Sequence, residues 1–206
     1  MPVQDLSDAA SLSNARILEG THRDAGQSDI IVVSAGAKQR DGDTRLDLIG
    51  RNLQILKSVI DAMQPLRRDA ILLLVANPVD VLTHFAQQLS GLPKKQVLGS
   101  GTSLDSVRLA GTLSQKLEVG VVDRDRDATR DKAYEIIKVK GFTSCGVAAV
   151  VSTICESIIF DQRQVLPLSH WQEEYKCCLS LPAVLGKAGV RSTIVLPLNE
   201  KERGQL

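Results

Sequence analysis

Three short apolar runs in the first half of the chain most strongly limit the fold that it can adopt. They are Ile30 to Ser34, Ile71 to Ala76 and Gln96 to Leu98, and small or polar residues follow each one. Strands with apolar side chains on both faces are typical of parallel sheets that are covered on both sides. The sequence therefore predicts three buried parallel strands in this region.

Helical patterns alternate with these runs. Apolar residues recur at steps of three and four from Leu46 to Met63, which predicts a helix with one buried face. Shorter helices are expected from Val79 to Leu89 and from Ser103 to Leu117, and a glycine follows each of them closely. Strands that alternate with helices predict a doubly wound α/β fold.

The second half of the chain has a different pattern. Residues 121–133 (VVDRDRDATRDKA) hold four acids and four bases, which is typical of a solvated helix surface, and a helix is expected through residues 134–139. Another helix is predicted from Thr143 to Phe160. The β-rich pieces from Gln164 onward, with glycines at their turns, predict a small antiparallel sheet. The apolar side of the helix that ends at Phe160 is expected to hold Val147, Val151, Ile154 and Ile158.

Charge and composition exclude several classes of partner. The chain has 25 Lys and Arg against 24 Asp and Glu, and only six aromatic residues, so it offers nucleic acid little positive field or stacking surface. Its longest apolar run, Ala70 to Ala76, is far below the ~20 residues that cross a bilayer, and the N-terminus lacks the pattern of an export signal. We therefore expect a cytoplasmic protein that binds neither nucleic acid nor membranes. The four cysteines lack C-x-x-C spacing and are expected to be reduced core or surface thiols.

Three loops follow the predicted strands and bring polar groups to the carboxyl ends of the sheet, where open α/β folds bind ligands. The first, residues 34–45 (SAGAKQRDGDTR), begins with small residues that allow a ligand to approach the backbone. The second, residues 77–80 (NPVD), places an amide between a strand and a helix. The third, residues 99–108 (GSGTSLDSVR), lacks the third glycine of a dinucleotide-binding fingerprint.

Taken together, these blocks resemble the L-lactate and malate dehydrogenase family, and its lactate branch most closely. The resemblance implies an NAD-dependent oxidoreductase. Its fold would be an incomplete doubly wound, Rossmann-type parallel sheet with an incomplete C-terminal α+β substrate domain, which divides the chain into residues 1–101 and 102–206. The likeness is carried by DLSDAASLSNARI, VVSAGA, DTRLDLIGRN, ANPVDVLT, VLGSGTSLDSVR, AYEIIKVKGFTS, CLSLPAVLGKAGV and LPLNEKE.

The resemblance implies roles for residues that contact the substrate. Arg45 is similar to the mobile-loop arginine that polarises the substrate carbonyl, and Arg108 to the arginine that binds the carboxylate of a 2-oxo acid. Gln39 stands where the family selects its substrate, and an amide there fits pyruvate. The malate branch carries an arginine at that position, and Arg40 is one position too late for it, which favours lactate. Malate or oxaloacetate is the alternative substrate, because a shift of the loop would bring Arg40 closer to that position.

Further assignments concern the cofactor and the acid-base machinery. Asn77 is similar to the amide beside the substrate and the nicotinamide, and Thr143 to a threonine in the wall of the substrate pocket. Asp105 is similar to the carboxylate that orients the catalytic histidine. The cofactor-binding residues that the resemblance implies are Ser34, Ala35, Gly36, Ala37 and Asn77.

The sequence departs from the family pattern in two places. The family's catalytic histidine stands in a G-E-H-G-D segment between the LDSVR and AYEIIK blocks, whereas this chain passes from LEVG directly to VVDRDRD. Its three histidines, His22, His84 and His170, lie elsewhere and are expected to have core or surface roles. The family also opens with a glycine-rich strand-helix-strand unit for the cofactor's pyrophosphate and ribose, and this chain starts downstream of it. We therefore expect impaired NAD binding.

Loss of that unit also affects stability. It would leave Ile30 to Ser34 at an apolar sheet edge, which favours self-association. A smaller core must still offset a backbone ordering cost of about 1–2 kcal/mol per residue, so a poorly stable monomer is expected.

Three interpretations stay open on the sequence alone. The chain is an oxidoreductase of a small 2-oxo or 2-hydroxy acid with little turnover of its own, or it is an inactive remnant that assembles with itself or with an intact homologue. The third interpretation is that its reading frame is incomplete.

Overall fold

Helices and strands alternate in the first half of the described chain, and strands dominate its end. The computed structural model describes residue 10, residues 15–37, 45–106 and 144–195, and residues 197 and 199, with the backbone alone at 45–47. Residues 103–106 form a helical turn after the third strand. In chain order the other elements are α1 (His22–Ala25), β1 (Ile30–Val33), α2 (Arg45–Met63), β2 (Ile71–Leu74), α3 (Val79–Ser90), a 3-10 turn (Lys94–Gln96), β3 (Val97–Gly99), α4 (Cys145–Ile159), β4 (Gln164–Gln172), β5 (Cys177–Gly186) and β6 (Gly189–Thr193).

The six strands form one sheet in the order β1-β2-β3-β4-β5-β6. Strands β1, β2 and β3 are parallel, with Ile30 beside Ile71 and Leu72 beside Val97, which confirms the predicted parallel strands. Strands β4, β5 and β6 continue the sheet in antiparallel fashion, as the β-rich tail predicts. The antiparallel strands are therefore an extension of the parallel sheet.

A single pair of residues, Gly99 and Ser169, joins β3 to β4. A Cβ atom on Gly99 would clash with Thr83 Oγ1 and lie 2.7 Å from Val79 Cγ2, both on α3, and it would lie 3.0 Å from the Cβ of Ser169 on β4. A larger residue would therefore displace α3 as well as β4. A second contact lies nearby, because Ser103 Oγ donates a hydrogen bond to the Pro167 carbonyl at 2.9 Å. Glycine at position 99 thus allows the two kinds of sheet to meet.

Both faces of the parallel strands are covered by helices. On one face Leu72 and Leu74 belong to a core cluster with side chains of α2 and α3. On the other face Ile71 and Leu73 pack in a cluster with side chains of α4. All four residues of β2 are buried, which explains why its sequence is apolar without alternation.

The helices predicted at 46–63, 79–89 and 143–160 agree with the structure to within two residues at each end. Of the helix predicted from Ser103 to Leu117, the structure describes only the first turn, and residues 107–117 lie outside the described residues. Helix α3 ends at Gly91, whose φ of 68° lies in the left-handed region that glycine tolerates best. The predicted face of α4 is buried at Ile154 and Ile158, while Val147 and Val151 are partly buried. The expected helix at 134–139 and the charged segment at 121–133 lie outside the described residues.

Strand β1 occupies one edge of the sheet, as the sequence predicts. Among the strands that the structure describes, none pairs with its outer side. Residues 15–20, which precede it, have neither helix nor strand structure.

Several observations concern possible partners and cofactors. None of the helices within the described ranges combines the length and the hydropathy needed to cross a bilayer. The same ranges contain no group of three His, Cys, Asp or Glu side chains placed to hold a metal ion. All four cysteines are free, which confirms the expected thiols, and burial raises the pKa of Cys178 to about 12.

The two isoleucines Ile60 and Ile159 offer a direct test of this core. Ile60 of α2 is fully buried, whereas Ile159 at the end of α4 is 61% exposed. We expect Ile60→Ala to lower the free energy of unfolding by about 2–5 kcal/mol, because it leaves a cavity between α2 and the sheet. The matched change Ile159→Ala should stay within about 0.5 kcal/mol of the parent. Urea unfolding of both variants measures the difference, and equal losses would contradict the arrangement of the core.

Candidate functional site

Three loops leave the sheet side by side at the carboxyl ends of β1, β2 and β3. Backbone hydrogen bonds hold these strand ends in line. The Val75 N–H donates to the Val33 carbonyl at 3.0 Å, and the Ser100 N–H donates to the Leu74 carbonyl at 2.9 Å. Because the strands are parallel, their following loops share one edge of the sheet, where this class of fold binds ligands.

Asn52 of α2 connects the first two loops. Its side chain is buried, with the residue 2% exposed. The Ala37 N–H donates to Asn52 Oδ1 at 2.6 Å, and Asn52 Nδ2 donates to the Asn77 carbonyl at 2.6 Å. One buried amide thus satisfies a donor of the first loop and an acceptor of the second, and it fixes the distance between them.

A glycine is needed at position 36 because the first and second loops touch there. A Cβ atom at this position would lie 3.1 Å from the Cβ of Ala76 and 3.6 Å from Asn52 Oδ1. The residues that face outward from this contact, Ser34, Ala35, Gly36 and Asn77, are exposed. The two loops therefore pack against each other and against Asn52, while their outer residues are exposed to solvent.

The third loop is held against β4. Gly101 has a φ of 57°, and a Cβ there would lie 2.8 Å from the Ser169 backbone nitrogen. The glycines of the GSG triplet are thus needed for packing between the loop and β4, which accounts for them without a bound phosphate. Asp105 follows in the helical turn at 103–106 and is exposed.

The structure places six of the ten sequence-predicted site residues at this one edge. They are Ser34 to Ala37 in the first loop, Asn77 in the second and Asp105 after the third. Arg45 is the first residue of α2, and its backbone alone is described. Gln39, Arg108 and Thr143 lie outside the described residues.

The three histidines differ in burial: His22 is exposed, His84 is partly buried and His170 is buried. His22 lies in the short exposed helix α1, and His84 of α3 stacks on Trp171 with ring centroids 5.7 Å apart. His170 of β4 is only 2% exposed.

Both ring nitrogens of His170 contact protein groups. Nδ1 lies 2.8 Å from the Leu168 carbonyl, which can only accept, so this nitrogen carries the proton. Nε2 is then an acceptor whose single lone pair is shared by two donors, Thr193 Oγ1 at 2.7 Å and Gln172 Nε2 at 2.8 Å. Burial lowers the pKa of His170 below its ordinary value, although the hydrogen bond to Leu168 and the charge of Asp80 oppose this shift. His170 is therefore a core residue whose surroundings favour the neutral ring.

Comparison with known proteins supports the relationship that the sequence blocks suggest. Residues 2–99 match the NAD binding domain of lactate/malate dehydrogenase, and residues 122–206 match the alpha/beta C-terminal domain of the same family. The chain belongs to the lactate/malate dehydrogenase family.

Individual relatives give a more specific picture. The chain is 40% identical to L-lactate dehydrogenase A of Rhizopus oryzae, with 99% of this chain and 76% of the relative covered. It is also 40% identical to an L-lactate dehydrogenase of Synechococcus sp., with 93% and 77% covered. A solved lactate dehydrogenase, MGS-M5 from a deep-sea metagenome library, matches with a TM-score of 0.85 and 30% identity over 98% of this chain and 81% of that one.

The alignment to the Rhizopus protein is 243 positions long, although this chain has 206 residues. Part of the relative therefore faces gaps inside this chain. A gap between the LDSVR and AYEIIK blocks, where a G-E-H-G-D segment is expected, would account for part of this difference.

Sequence reasoning missed Asn52. Its position was nevertheless informative, because Asn52 lies between Ile49 and Leu56 on the apolar face of the predicted helix. A polar residue on a face that packs against a sheet must find hydrogen-bond partners there. That argument predicts a buried contact, but it does not say which loops the amide would join.

The role of Asn52 can be tested with an amide-to-carboxyl change. Asn52→Asp keeps an acceptor for the Ala37 N–H but places a second oxygen against the Asn77 carbonyl. We expect the free energy of unfolding to fall by about 1–3 kcal/mol or more, because a buried group loses its partner. The matched control Gln54→Glu, at an exposed position of the same helix, should change it by less than about 0.5 kcal/mol. Equal effects in urea unfolding would argue against the contact.

His170 predicts a pH dependence of stability. The folded pKa is lowered relative to the unfolded value of about 6.5, so the unfolded chain binds the proton more readily. The free energy of unfolding should therefore fall as the pH decreases through about 6.5. His170→Gln removes this titration and should flatten the slope, whereas His22→Gln at an exposed position should leave it unchanged. Urea unfolding across this range measures both slopes, and an unchanged slope in His170→Gln would refute the assignment.

Proposed function

We propose that this chain is an L-lactate dehydrogenase-type protein that binds the nicotinamide end of NAD and a small 2-oxo acid, with low turnover of its own. The contact that carries the proposal is the Asn52 amide, which holds the Ala37 and Asn77 loops together at the ligand-binding edge of the sheet. Buried polar contacts of this kind preorganise a site before a ligand arrives.

The substrate follows from residues that are similar to those of the family. Arg108 would bind the carboxylate of the acid through two parallel hydrogen bonds, and Arg45 would polarise its carbonyl. The amide of Gln39 favours the small neutral side chain of pyruvate, and the relatives described above are L-lactate dehydrogenases. Oxaloacetate is the competing substrate, because a shift of the loop would bring Arg40 to the selecting position.

The described residues fit one end of the cofactor. The exposed residues Ser34 to Gly36 and Asn77 form a surface. Small residues in the first loop allow a flat ring to approach the backbone there. When bound, NAD supplies or accepts the hydride. The GSG triplet is packed against β4, so we place the nicotinamide and not the pyrophosphate on this part of the chain, and we expect weakened affinity for the whole cofactor.

We expect low turnover because hydride transfer must be accompanied by transfer of a proton, and the usual histidine that carries this proton is missing. Asp105 is similar to a carboxylate that orients a histidine, yet no histidine follows it before His170. His170 itself is buried, with both ring nitrogens bonded within the sheet. Loss of one acid-base group commonly costs ~100–10,000-fold in rate.

A second candidate function is assembly without catalysis. The missing histidine segment favours it, since such a chain would keep its sheet but lose its chemistry. For both candidate functions we propose that residues 1–101 are a remnant of the NAD-binding domain and that residues 102–206 are a remnant of the substrate domain. The two family matches, at 2–99 and 122–206, support this division.

A binding and turnover assay separates the two functions. We expect direct titration to detect NADH binding, and pyruvate-dependent NADH oxidation to be ~100–10,000-fold slower than that of an intact L-lactate dehydrogenase assayed beside it. Arg108→Lys should raise the pyruvate concentration required by roughly tenfold, because one of two parallel hydrogen bonds is lost. The control Arg68→Lys, at an exposed position, should not.

Each other outcome rejects part of the proposal. If NADH does not bind in the direct titration, the oxidoreductase function is wrong and assembly without catalysis is favoured. Turnover as fast as that of the intact enzyme would show that another group carries the proton. A preference for oxaloacetate over pyruvate would reject the assigned substrate.

A further inference from the structure

Helix α3 connects the second loop of the candidate site to the antiparallel strands. It begins two residues after Asn77, and its side chains contact both β4 and β5. Near its start, Ser180 Oγ of β5 donates a hydrogen bond to Asp80 Oδ1 at 2.7 Å. One helical turn later, the ring of His84 stacks on Trp171 of β4. The helix is therefore attached to the antiparallel strands at two successive turns.

The hydrogen bond between Asp80 and Ser180 joins the two family domains of the chain. Asp80 belongs to residues 2–99, which match the NAD binding domain, and Ser180 belongs to residues 122–206, which match the C-terminal domain. Both side chains are partly buried, and a hydrogen bond to a carboxylate is stronger than one between neutral groups. This contact can therefore hold the start of α3 in a fixed position relative to β5.

The carboxylate of Asp80 lies close to both β4 and β5. Burial, and after it the charge of Asp80, raise the pKa of the Cys178 thiol of β5 to about 12. On β4, burial lowers the pKa of His170, and the charge of Asp80 is one of two influences that oppose this shift. Asp80 also stands in the first turn of α3, where the helix dipole favours a negative charge. Its own helix and β5 thus both stabilise the carboxylate.

The connection from Asp80 back to Asn77 is short and stiff. Only two residues lie between them, and the first is Pro78, whose ring fixes one backbone torsion. The Pro78 carbonyl accepts a hydrogen bond from the Leu82 N–H at 3.0 Å, so the first turn of α3 starts directly after Asn77. A displacement of Asp80 would therefore also displace the Asn77 carbonyl, which accepts from Asn52 Nδ2.

We propose that Asp80 is a positioning residue, which ties the Asn77 loop to the antiparallel strands through its hydrogen bond with Ser180. Asn52 holds this loop from the side of the first loop, and Asp80 holds it from the side of the C-terminal strands. The orientation that Asn77 presents to a ligand then depends on β5. That the ligand is NADH rests on the proposed function, whereas the positioning rests on contacts between described residues.

The first test removes the hydrogen bond from the Ser180 side. Ser180→Ala deletes the donor, whereas Ser180→Thr keeps a hydroxyl group at the same position. We expect Ser180→Ala to raise the NADH dissociation constant by about three- to tenfold, which is the effect of one lost hydrogen bond. Ser180→Thr should keep an affinity close to that of the parent. Direct titration of the full 206-residue chain measures all three proteins.

His84 provides the matched control, because it joins the same helix to β4 one turn further along. His84→Ala removes the stack on Trp171 and should lower the free energy of unfolding in urea. It should nevertheless leave the NADH dissociation constant unchanged, since this contact lies farther from the Asn77 loop. A purely structural role of Ser180 would instead make both variants weaken NADH binding in proportion to their loss of stability.

Hydrogen exchange in the absence of NADH gives a second readout. The Ala37 N–H donates to Asn52 Oδ1 at 2.6 Å, and the same amide holds the Asn77 carbonyl, so protection of Ala37 reports on the position of the second loop. Ser180→Ala should speed exchange of the Ala37 amide by about three- to tenfold relative to the amides of β2, which exchange through opening of the core. His84→Ala should not change this ratio.

A double variant tests whether Asp80 acts through Ser180. Asp80→Ala alone should weaken NADH binding and speed exchange of the Ala37 amide. Adding Ser180→Ala to Asp80→Ala should change neither quantity further, because both substitutions break the same hydrogen bond. Effects that add would show that the two side chains act independently, and they would overturn the proposal.

Two further results would also overturn it. One is an unchanged exchange ratio of the Ala37 amide in Ser180→Ala, and the other is an equal acceleration in His84→Ala. If the parent binds NADH, an unchanged dissociation constant in Ser180→Ala would be a third. A parent chain that does not bind NADH rejects the proposed function, and the exchange ratio then decides by itself whether Asp80 positions the loop. The two proposals can therefore fail separately.

Discussion

Burial of β2 on both faces is the constraint on which the rest of this structure depends. Its four residues send alternate side chains into two clusters, one closed by α2 and α3 and the other by α4. Because the strand is apolar throughout, it cannot face solvent on either side without a large loss of hydrophobic stabilisation. The central position of β2 then fixes β1 and β3 as its parallel neighbours, and the three loops that follow these strands come out at one edge.

The candidate site combines this framework with one buried polar contact. The sheet brings the loops to the same edge, but strands alone leave their separation undetermined. The Asn52 amide fixes the separation of the first two loops, and the glycine at position 36 allows the two loops to touch. In the proposed function, recognition of an acid and a nicotinamide ring would depend on a helix residue that contacts neither of them, while the chemistry would depend on side chains further along the chain.

Much of the fold could be predicted from the sequence, because periodicity reports burial directly. The steps of three and four in α2 and the continuous apolar run of β2 each correspond to one physical environment. The junction of β3 with β4 could not be predicted, since it is a single pair between residues 70 positions apart and depends on the space beside Gly99. The same limit applies to the site. Loop residues could be named by their order along the chain, whereas the partners of Asn52 are set by packing that no local pattern encodes.

The position of α4 in the chain affects how the protein can be made. The strands β1 to β3 and helices α2 and α3 are complete by residue 99, whereas the helix that covers Ile71, Leu73 and Leu98 begins at residue 145. During synthesis the parallel strands leave the ribosome before α4, so the apolar face that α4 covers stays exposed until that helix is made. Transiently exposed apolar surface of this kind favours aggregation of nascent chains.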